Sequence, residues 1–187
     1  MVDNLITFIE PNAGYLDGYL EAINEGNYIN MDLGFADWPE KKILQDKKAY
    51  LSTANYIGPS IINLKDGTKA TIKHHKLYWI IDGKKFLGSL AIRYDGDKEV
   101  LEKYCGHVGM AIRPRLLNKG YGVKAARKAW LFLKEKFTDK NMNSIFMTCN
   151  KTNKVSERLI TYMGGAFYAK HDDVFGEGPN TVFRIML

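Results

Sequence analysis

Apolar residues run together or alternate in some stretches of the chain and step by three or four in others, and the change of spacing marks the elements. Leu5-Ile6-Thr7-Phe8-Ile9 predicts a first strand, closed by Glu10-Pro11-Asn12, where Asn12 suits a helix cap. Tyr15, Leu16, Tyr19, Leu20 and Ile23 then recur at helical spacing, and Gly26 ends that segment. Residues 27–38 are irregular and rich in aromatics. Pro39 opens a second predicted helix with Ile43, Leu44 and Leu51 facing inward. From Asn55 to Lys69 the pattern is that of a loop, with Gly58-Pro59 and Asp66-Gly67 as turn signals.

Leu77–Ile81 and Phe86–Ile92 flank Asp82-Gly83-Lys84-Lys85, a hairpin signal, and Asp95-Gly96-Asp97 makes the next turn. His107–Ile112 predicts a further strand, with Gly106 and Gly109 pointing to a bulge or a close backbone approach. Val123, Ala126, Trp130, Leu133 and Phe137 give a long helix over residues 122–137 one apolar stripe. A strand at Ile145–Cys149, a helix from Asn153 to Met163 ended by Gly164-Gly165, and a terminal strand at Val182–Leu187 complete the chain. No internal repeat or linker interrupts it. The reading is one α+β domain over residues 1–187.

The length suits one domain with a substantial core, and a chain 45% hydrophobic and 26% charged is ordinary globular protein. No apolar run is long enough to span a bilayer, and the first twenty residues lack the continuous apolar stretch of a signal peptide. A cytoplasmic protein with no membrane partner is expected. Cys105 and Cys149 then read as free thiols on strands, and two unclustered cysteines make no zinc site. His74 and His75, adjacent on a strand, point to opposite faces and chelate poorly, so no metal is expected. The net charge of +6 suits an anionic ligand without selecting one. No Lys/Arg block interleaves with exposed aromatics as in a nucleic-acid platform.

One stretch narrows the anion. Arg113-Pro114 ends a strand, and Lys119-Gly120-Tyr121-Gly122 opens the long helix, so main-chain N–H groups and a helix N-terminus face a ligand. A nucleotide P-loop needs its lysine after the last glycine, followed by Ser or Thr; here Lys119 precedes Gly120. A Rossmann turn needs a third glycine in a βαβ unit. A tight strand-to-helix turn with no ligand remains the plain alternative.

The order strand, Arg113-Pro114, Lys119-Gly120-Tyr121-Gly122, long helix, strand, then Asn153-x-x-Ser156 opening a helix that ends in Gly164-Gly165 resembles the GNAT superfamily of acyl-coenzyme A transferases. Residues 78–167 carry the resemblance, with Gly106-His107-Val108-Gly109 and Thr148-Cys149-Asn150 resembling a bacterial branch of acetyltransferases. It implies a mixed, mostly antiparallel central sheet whose fourth and fifth strands splay, with flanking helices. Residues 1–75 would form the acceptor side and 76–187 the coenzyme A-binding core. The donor would be acetyl-coenzyme A. Main-chain N–H groups of Leu117, Asn118, Lys119, Gly120, Tyr121, Gly122 and Val123 would cradle its pyrophosphate, helped by the helix dipole. Lys119, Lys124 and Arg127 would meet outer phosphates or simply form a solvated face. The fourth strand, at Met110, Ala111 and Ile112, would pair with the pantetheine arm, and the thioester would sit where it splays from Ile145–Cys149. Asn153, with Ser156 beside it, matches the residue whose amide meets that arm and is also a good helix cap.

Two positions depart from the family pattern. Leu117 holds the first position of Gln/Arg-x-x-Gly-x-Gly/Ala, so no side chain there can bond a phosphate. Ile160 stands where many members carry a tyrosine that protonates the departing thiolate, and Tyr162 lies about 200° further round the helix. The implied reaction is direct attack by an amine, which must first lose a proton from a pKa near ~10. Main-chain N–H groups near Met110 would stabilise the developing oxyanion. His107 is the candidate base, with a main-chain water relay as the alternative, and Tyr168 or Tyr104 the candidate acid. Cys149 lacks a linked base and is not expected to act as a nucleophile. The acceptor pocket would come from the first helices and their connection, residues 28–56, plus the loop after Lys170; Tyr28, Phe35, Trp38, Tyr50 and Tyr56 would line it or pack in the core.

The leading reading is therefore an N-acetyltransferase acting on an amine of a small molecule or peptide, compatible with a homodimer. The competing readings are a non-catalytic acyl-coenzyme A sensor, raised by Ile160, and a nucleic-acid-binding domain, raised by the charge.

Overall fold

The computed structural model describes residues 5–26, 31, 33, 38–56, 58–173 and 178–187. Five strands form one antiparallel sheet: β1 (Ile6–Ile9), β2 (Gly58–Asn63), β3 (Lys69–Asp82), β4 (Lys85–Gly96) and β5 (Val108–Ile112). The hydrogen-bonded order is β1-β3-β4-β5, with β2 also on β3. A second sheet has the order β6-β8-β7, from β6 (Ser144–Asn150), β7 (Ala166–His171) and β8 (Asn180–Met186). β5 and β6 thus belong to separate sheets. The helices are α1 (Leu16–Ile23), α2 (Glu40–Gln45), α3 (Lys47–Ala54), α4 (Lys98–Val100), α5 (Tyr121–Thr138) and α6 (Lys154–Tyr162).

The chain divides into two compact units. The first comprises residues 1–57, 76–91 and 110–128. Its core places α1, α2 and α3 against β3 and β4, through Leu16, Tyr19, Ile43, Tyr50, Trp79 and Phe86. Tyr19 stacks on Trp79 at 5.3 Å between centroids, and Phe86 meets Trp79 edge-on at 5.5 Å. The second unit comprises residues 58–75, 92–109 and 129–187. Its interior is built from Ile72, Leu101, Leu133, Phe137, Ile145 and Val182, all buried.

Four local expectations are corrected. Residues 58–63, expected in a loop, form β2: Gly58-Pro59 opens a strand that pairs with β3 from Gly58↔His75 to Asn63↔Lys69, and Asp66-Gly67 lies in the turn that follows. The helix expected after Pro39 is broken at Asp46, whose carboxylate caps α3 by accepting the N–H of Ala49 at 2.9 Å. Leu44, expected inward, is exposed, whereas Ile43 is buried. Along α5 the buried residues are Ala125, Ala126, Ala129, Leu133 and Phe137, while Val123 is exposed. After α4 the chain makes a π-helical turn, Leu101–Cys105, directly before β5.

Candidate active site

The last residues of β5 hand the chain to a 3-10 turn, Pro114–Leu116. Leu116 N–H donates to Arg113 O at 3.0 Å and Leu117 N–H to Pro114 O at 3.1 Å. Leu117 is then extended (φ −61°, ψ 147°), Asn118 is left-handed at φ 60°, and Gly120 is left-handed at φ 80°. Glycine holds that conformation without strain. The first bond of α5 runs from Lys124 N–H to Gly120 O at 3.2 Å. The amides of Tyr121, Gly122 and Val123 lie upstream of it and have no carbonyl to meet within the helix. A Cβ built on Gly120 would meet nothing within 4 Å, so the space beside Gly120 is open. This donor set fits a pyrophosphate. Asn118, Lys119, Lys124 and Arg127 are exposed around it, with Lys124 Nζ leaning over the Tyr121 ring at 5.7 Å. Leu117 is also exposed and carries no donor.

β5 is bound on one side by β4. Arg93 N–H donates to His107 O at 2.7 Å and Arg113 N–H to Leu87 O at 2.9 Å, which fixes an antiparallel register. In that register Ala111 faces β4 with its main-chain groups, and those of Met110 and Ile112 point away from it. Ala111 and Ile112 are buried, and Met110 is half-buried.

In the second unit His107 enters β5 from Gly106. Its N–H donates to Phe146 O at 2.7 Å, and its Nδ1 accepts Phe146 N–H at 3.0 Å. Gly106 is at φ 67°, and a Cβ there would stand 2.9 Å from Phe146 O, so the approach of the two strands requires glycine. His107 is 6% exposed. Burial above all holds its pKa down, to about 4, with the Arg93 charge adding to the effect. The imidazole is therefore neutral at physiological pH. Because a donor occupies Nδ1, its proton sits on Nε2. No lone pair is left for an incoming proton, and in this geometry His107 is a poor base. Arg93, buried on β4, also donates from NH1 to Cys105 O at 3.5 Å.

The Phe146 ring links His107 to Tyr168: its centroid is 5.8 Å from the imidazole and 4.9 Å from the Tyr168 ring, which it meets at 65°. Tyr168 lies on β7, half its surface exposed. Tyr104 packs edge-on to His171 at 5.7 Å. Asn153 is the cap of α6, its Oδ1 accepting Ser156 N–H at 3.0 Å, and its Nδ2 is the side chain's donor group. Ile160 is buried, and a Cβ on Gly165 would collide with it. It belongs to the packing of α6. Cys105 and Cys149 are free, and burial pushes both thiols up, which keeps them protonated. Among the described residues no group of three or more His, Cys, Asp or Glu is placed to hold a metal. Tyr50 is core, Trp38 packs against that core, and Tyr56 is exposed. Tyr28 and Phe35 lie outside the described residues.

A further cluster stands behind the phosphate turn. Glu25 Oε1 accepts from Arg113 Nε at 2.8 Å and also from Arg113 NH2, and Glu25 Oε2 accepts the Arg115 N–H at 2.9 Å. Glu21 accepts from Arg113 NH2 at 3.2 Å. The Glu25 side chain is 1% exposed. Burial pushes its pKa up, but the Arg113 hydrogen bonds, the Arg115 amide and the two guanidinium charges outweigh that and hold it below the usual range. One sequence signal points to it: acids at both 21 and 25, where a helix C-terminus favours bases.

The acetyltransferase (GNAT) domain pattern matches residues 30–166. The chain belongs to the GNAT acetyltransferase family. It is an acetyltransferase. No curated protein sequence matches it significantly. Solved GNAT structures share its fold at low identity. A GNAT acetyltransferase from Bacillus anthracis is 16% identical over 97% of this chain and 94% of that one, with a TM-score of 0.59. The Microcin C7 self-immunity acetyltransferase MccE, in complex with acetyl-CoA and AMP, is 13% identical over 97% and 92%, with a TM-score of 0.59. RimL, a ribosomal L7/L12 alpha-N-protein acetyltransferase in complex with coenzyme A, is 9% identical over 97% and 94%, with a TM-score of 0.57. In this GNAT chain no described helix is long and apolar enough to cross a membrane.

Proposed function

We propose that this GNAT acetyltransferase moves the acetyl group of acetyl-coenzyme A to an amine nitrogen of a small molecule or peptide, by direct attack, in the cytoplasm. The observation that carries the reading is the turn at residues 117–120, open beside Gly120, which leaves the amides of Tyr121, Gly122 and Val123 without a partner inside the helix at the end of β5. Bound there, acetyl-coenzyme A supplies an activated acetyl thioester. The chain's own part is to hold the pyrophosphate on amides 117–123 and to offer the outward main-chain groups of Met110 and Ile112 to the pantetheine arm. The amide Nδ2 of Asn153, beside Ser156, adds a donor for the same arm. Met110 N–H meets the negative charge that grows on the acetyl oxygen. Residues 1–75 supply the acceptor side and 76–187 the coenzyme A-binding core. An amine acceptor agrees with RimL, whose name specifies an alpha-amino group of a protein.

Proton handling follows from the second unit. His107 has its Nδ1 engaged by Phe146 and serves to pin β5 to β6, so the amine must shed its proton to water. Tyr168, adjoining the same Phe146 ring and open to solvent, donates a proton to the leaving thiolate.

The test is twofold. Calorimetry compares acetyl-coenzyme A binding to the wild type and to Gly120→Glu, which puts a carboxylate into the cradle and forces a side chain onto φ 80°. Loss of binding with a small fall in melting temperature and the fold retained is expected; unchanged affinity removes the pyrophosphate from this turn. A thiol-release assay over alkyl amines, polyamines and peptide N-termini then reads the reaction. Amine-dependent release is expected, and its absence across the panel removes N-acetyl transfer.

A further inference from the structure

The cradle needs something to hold its shape. Leu117 in the first position offers the anion no donor, so affinity rests largely on where the main-chain amides point. The 3-10 turn that leads into it begins at Arg113, which caps it with no side-chain bond, and Pro114 has no N–H to give. The Arg115 amide is the first donor of that turn. It finds its acceptor 90 residues away in sequence, in the buried carboxylate of Glu25. The second oxygen of the same carboxylate holds Arg113, whose NH1 also donates to Phe86 O at 3.3 Å and whose N–H donates to Leu87 O. Strand end and turn are therefore clamped by one buried group.

We propose that Glu25 is a positioning residue for acetyl-coenzyme A: its carboxylate caps the Pro114–Leu116 turn and locks Arg113, and so sets the direction of the amides at 121–123. Glu25 does not touch the donor. It neutralises Arg113, and the turn stays ordered before any phosphate arrives. Binding then costs little ordering of the chain. The inference rests on the placement of the pyrophosphate at residues 117–123.

The experiment compares two acyl donors, acetyl-coenzyme A and S-acetylpantetheine, which carries the same thioester and arm but no nucleotide pyrophosphate. With Glu25→Gln, KM for acetyl-coenzyme A should rise about tenfold or more, on the scale of one charge-assisted hydrogen bond. The kcat at saturation and the KM for S-acetylpantetheine should hold. A purely structural role for Glu25 moves both donors together, and that outcome overturns the proposal. Should Glu25→Gln not fold, Glu25→Gln/Arg113→Gln replaces the ion pair with a neutral amide pair and is read with the same two donors. Gly120→Glu separates the two levels. If it leaves acetyl-coenzyme A binding intact, the cradle itself is misplaced. If it abolishes binding while Glu25→Gln changes neither KM, the cradle stands and the role of Glu25 falls.

Discussion

Nδ1 of His107 accepts the main-chain N–H of Phe146 at 3.0 Å, while the N–H of His107 donates to the carbonyl of Phe146 at 2.7 Å. The imidazole stands in for a main-chain carbonyl, because the carbonyl of His107 is already taken by Arg93 N–H on β4. At His107 a side chain thus completes the pairing with Phe146.

His107→Asn should therefore be well tolerated, since Asn Oδ1 can reach the place of Nδ1. His107→Ala leaves a buried N–H without a partner and should cost about 1–3 kcal/mol in urea unfolding. Activity gives the sharper reading. If His107 were the base, His107→Asn would abolish the rise of kcat/KM through neutral pH. We expect that rise to persist toward the amine's own pKa in wild type and variant alike. Loss of the limb in His107→Asn would restore the histidine as base.

Stability should fall in mild acid. The folded-state pKa of His107 is lowered from 6.5 to about 4, and that of His75 to about 2, burial being the main cause in both. Between those values and 6.5 the unfolded chain binds protons that the native chain does not. Stability is then full above about pH 6.5 and declines below it. His107 alone contributes about 3 kcal/mol to the drop by pH 4. Urea midpoints at pH 7 and pH 4.5 check this: His107→Asn should lose less than the wild type. Equal losses would mean that His107 is not buried in a neutral state.

Much of the fold was legible. The chain declares β1, α1, the β3–β4 hairpin, α5 and α6 by their periods, and the glycine turn by its spacing. What escaped has a common physical character. β7 is exposed at most positions, so it shows no alternation of apolar and polar residues. β2 was concealed by the turn signals at its start and after its end. The π-helical turn at Leu101–Cys105 is too short for a period. The Glu25–Arg113 pair spans 88 residues and the His107–Phe146 pair 39, and no local pattern records such partners. Single polar residues reveal their work only when packing names what they face.

Tyr168→Phe isolates the proposed acid. The ring contact with Phe146 at 4.9 Å survives the change, so the fold should be unaffected. Losing a proton donor to the leaving thiolate should lower kcat about 10²-fold while KM for acetyl-coenzyme A holds. A donor whose thiol is a stronger acid needs less help, so the loss should shrink with a thioester of an electron-poor aryl thiol. An unchanged kcat in the first comparison removes Tyr168 from the reaction.

Leu117→Arg should strengthen donor binding. Position 117 is exposed, its extended backbone accepts any side chain, and it is the first position of a family pattern that elsewhere carries Gln or Arg. A guanidinium there would add charge-assisted bonds to a pyrophosphate already seated on amides. The expected gain is about tenfold in Kd for acetyl-coenzyme A at low salt. It should decline as ionic strength rises, since the site is open to solvent. S-acetylpantetheine, without the pyrophosphate, should gain nothing. A uniform gain on both donors would mean that the arginine acts elsewhere, and no gain on either would place the phosphates away from residue 117. The wild-type leucine then has a consequence of its own. A cradle made of amides alone carries no side-chain charge at that position, so its hold on the donor should depend less steeply on salt than that of the arginine variant.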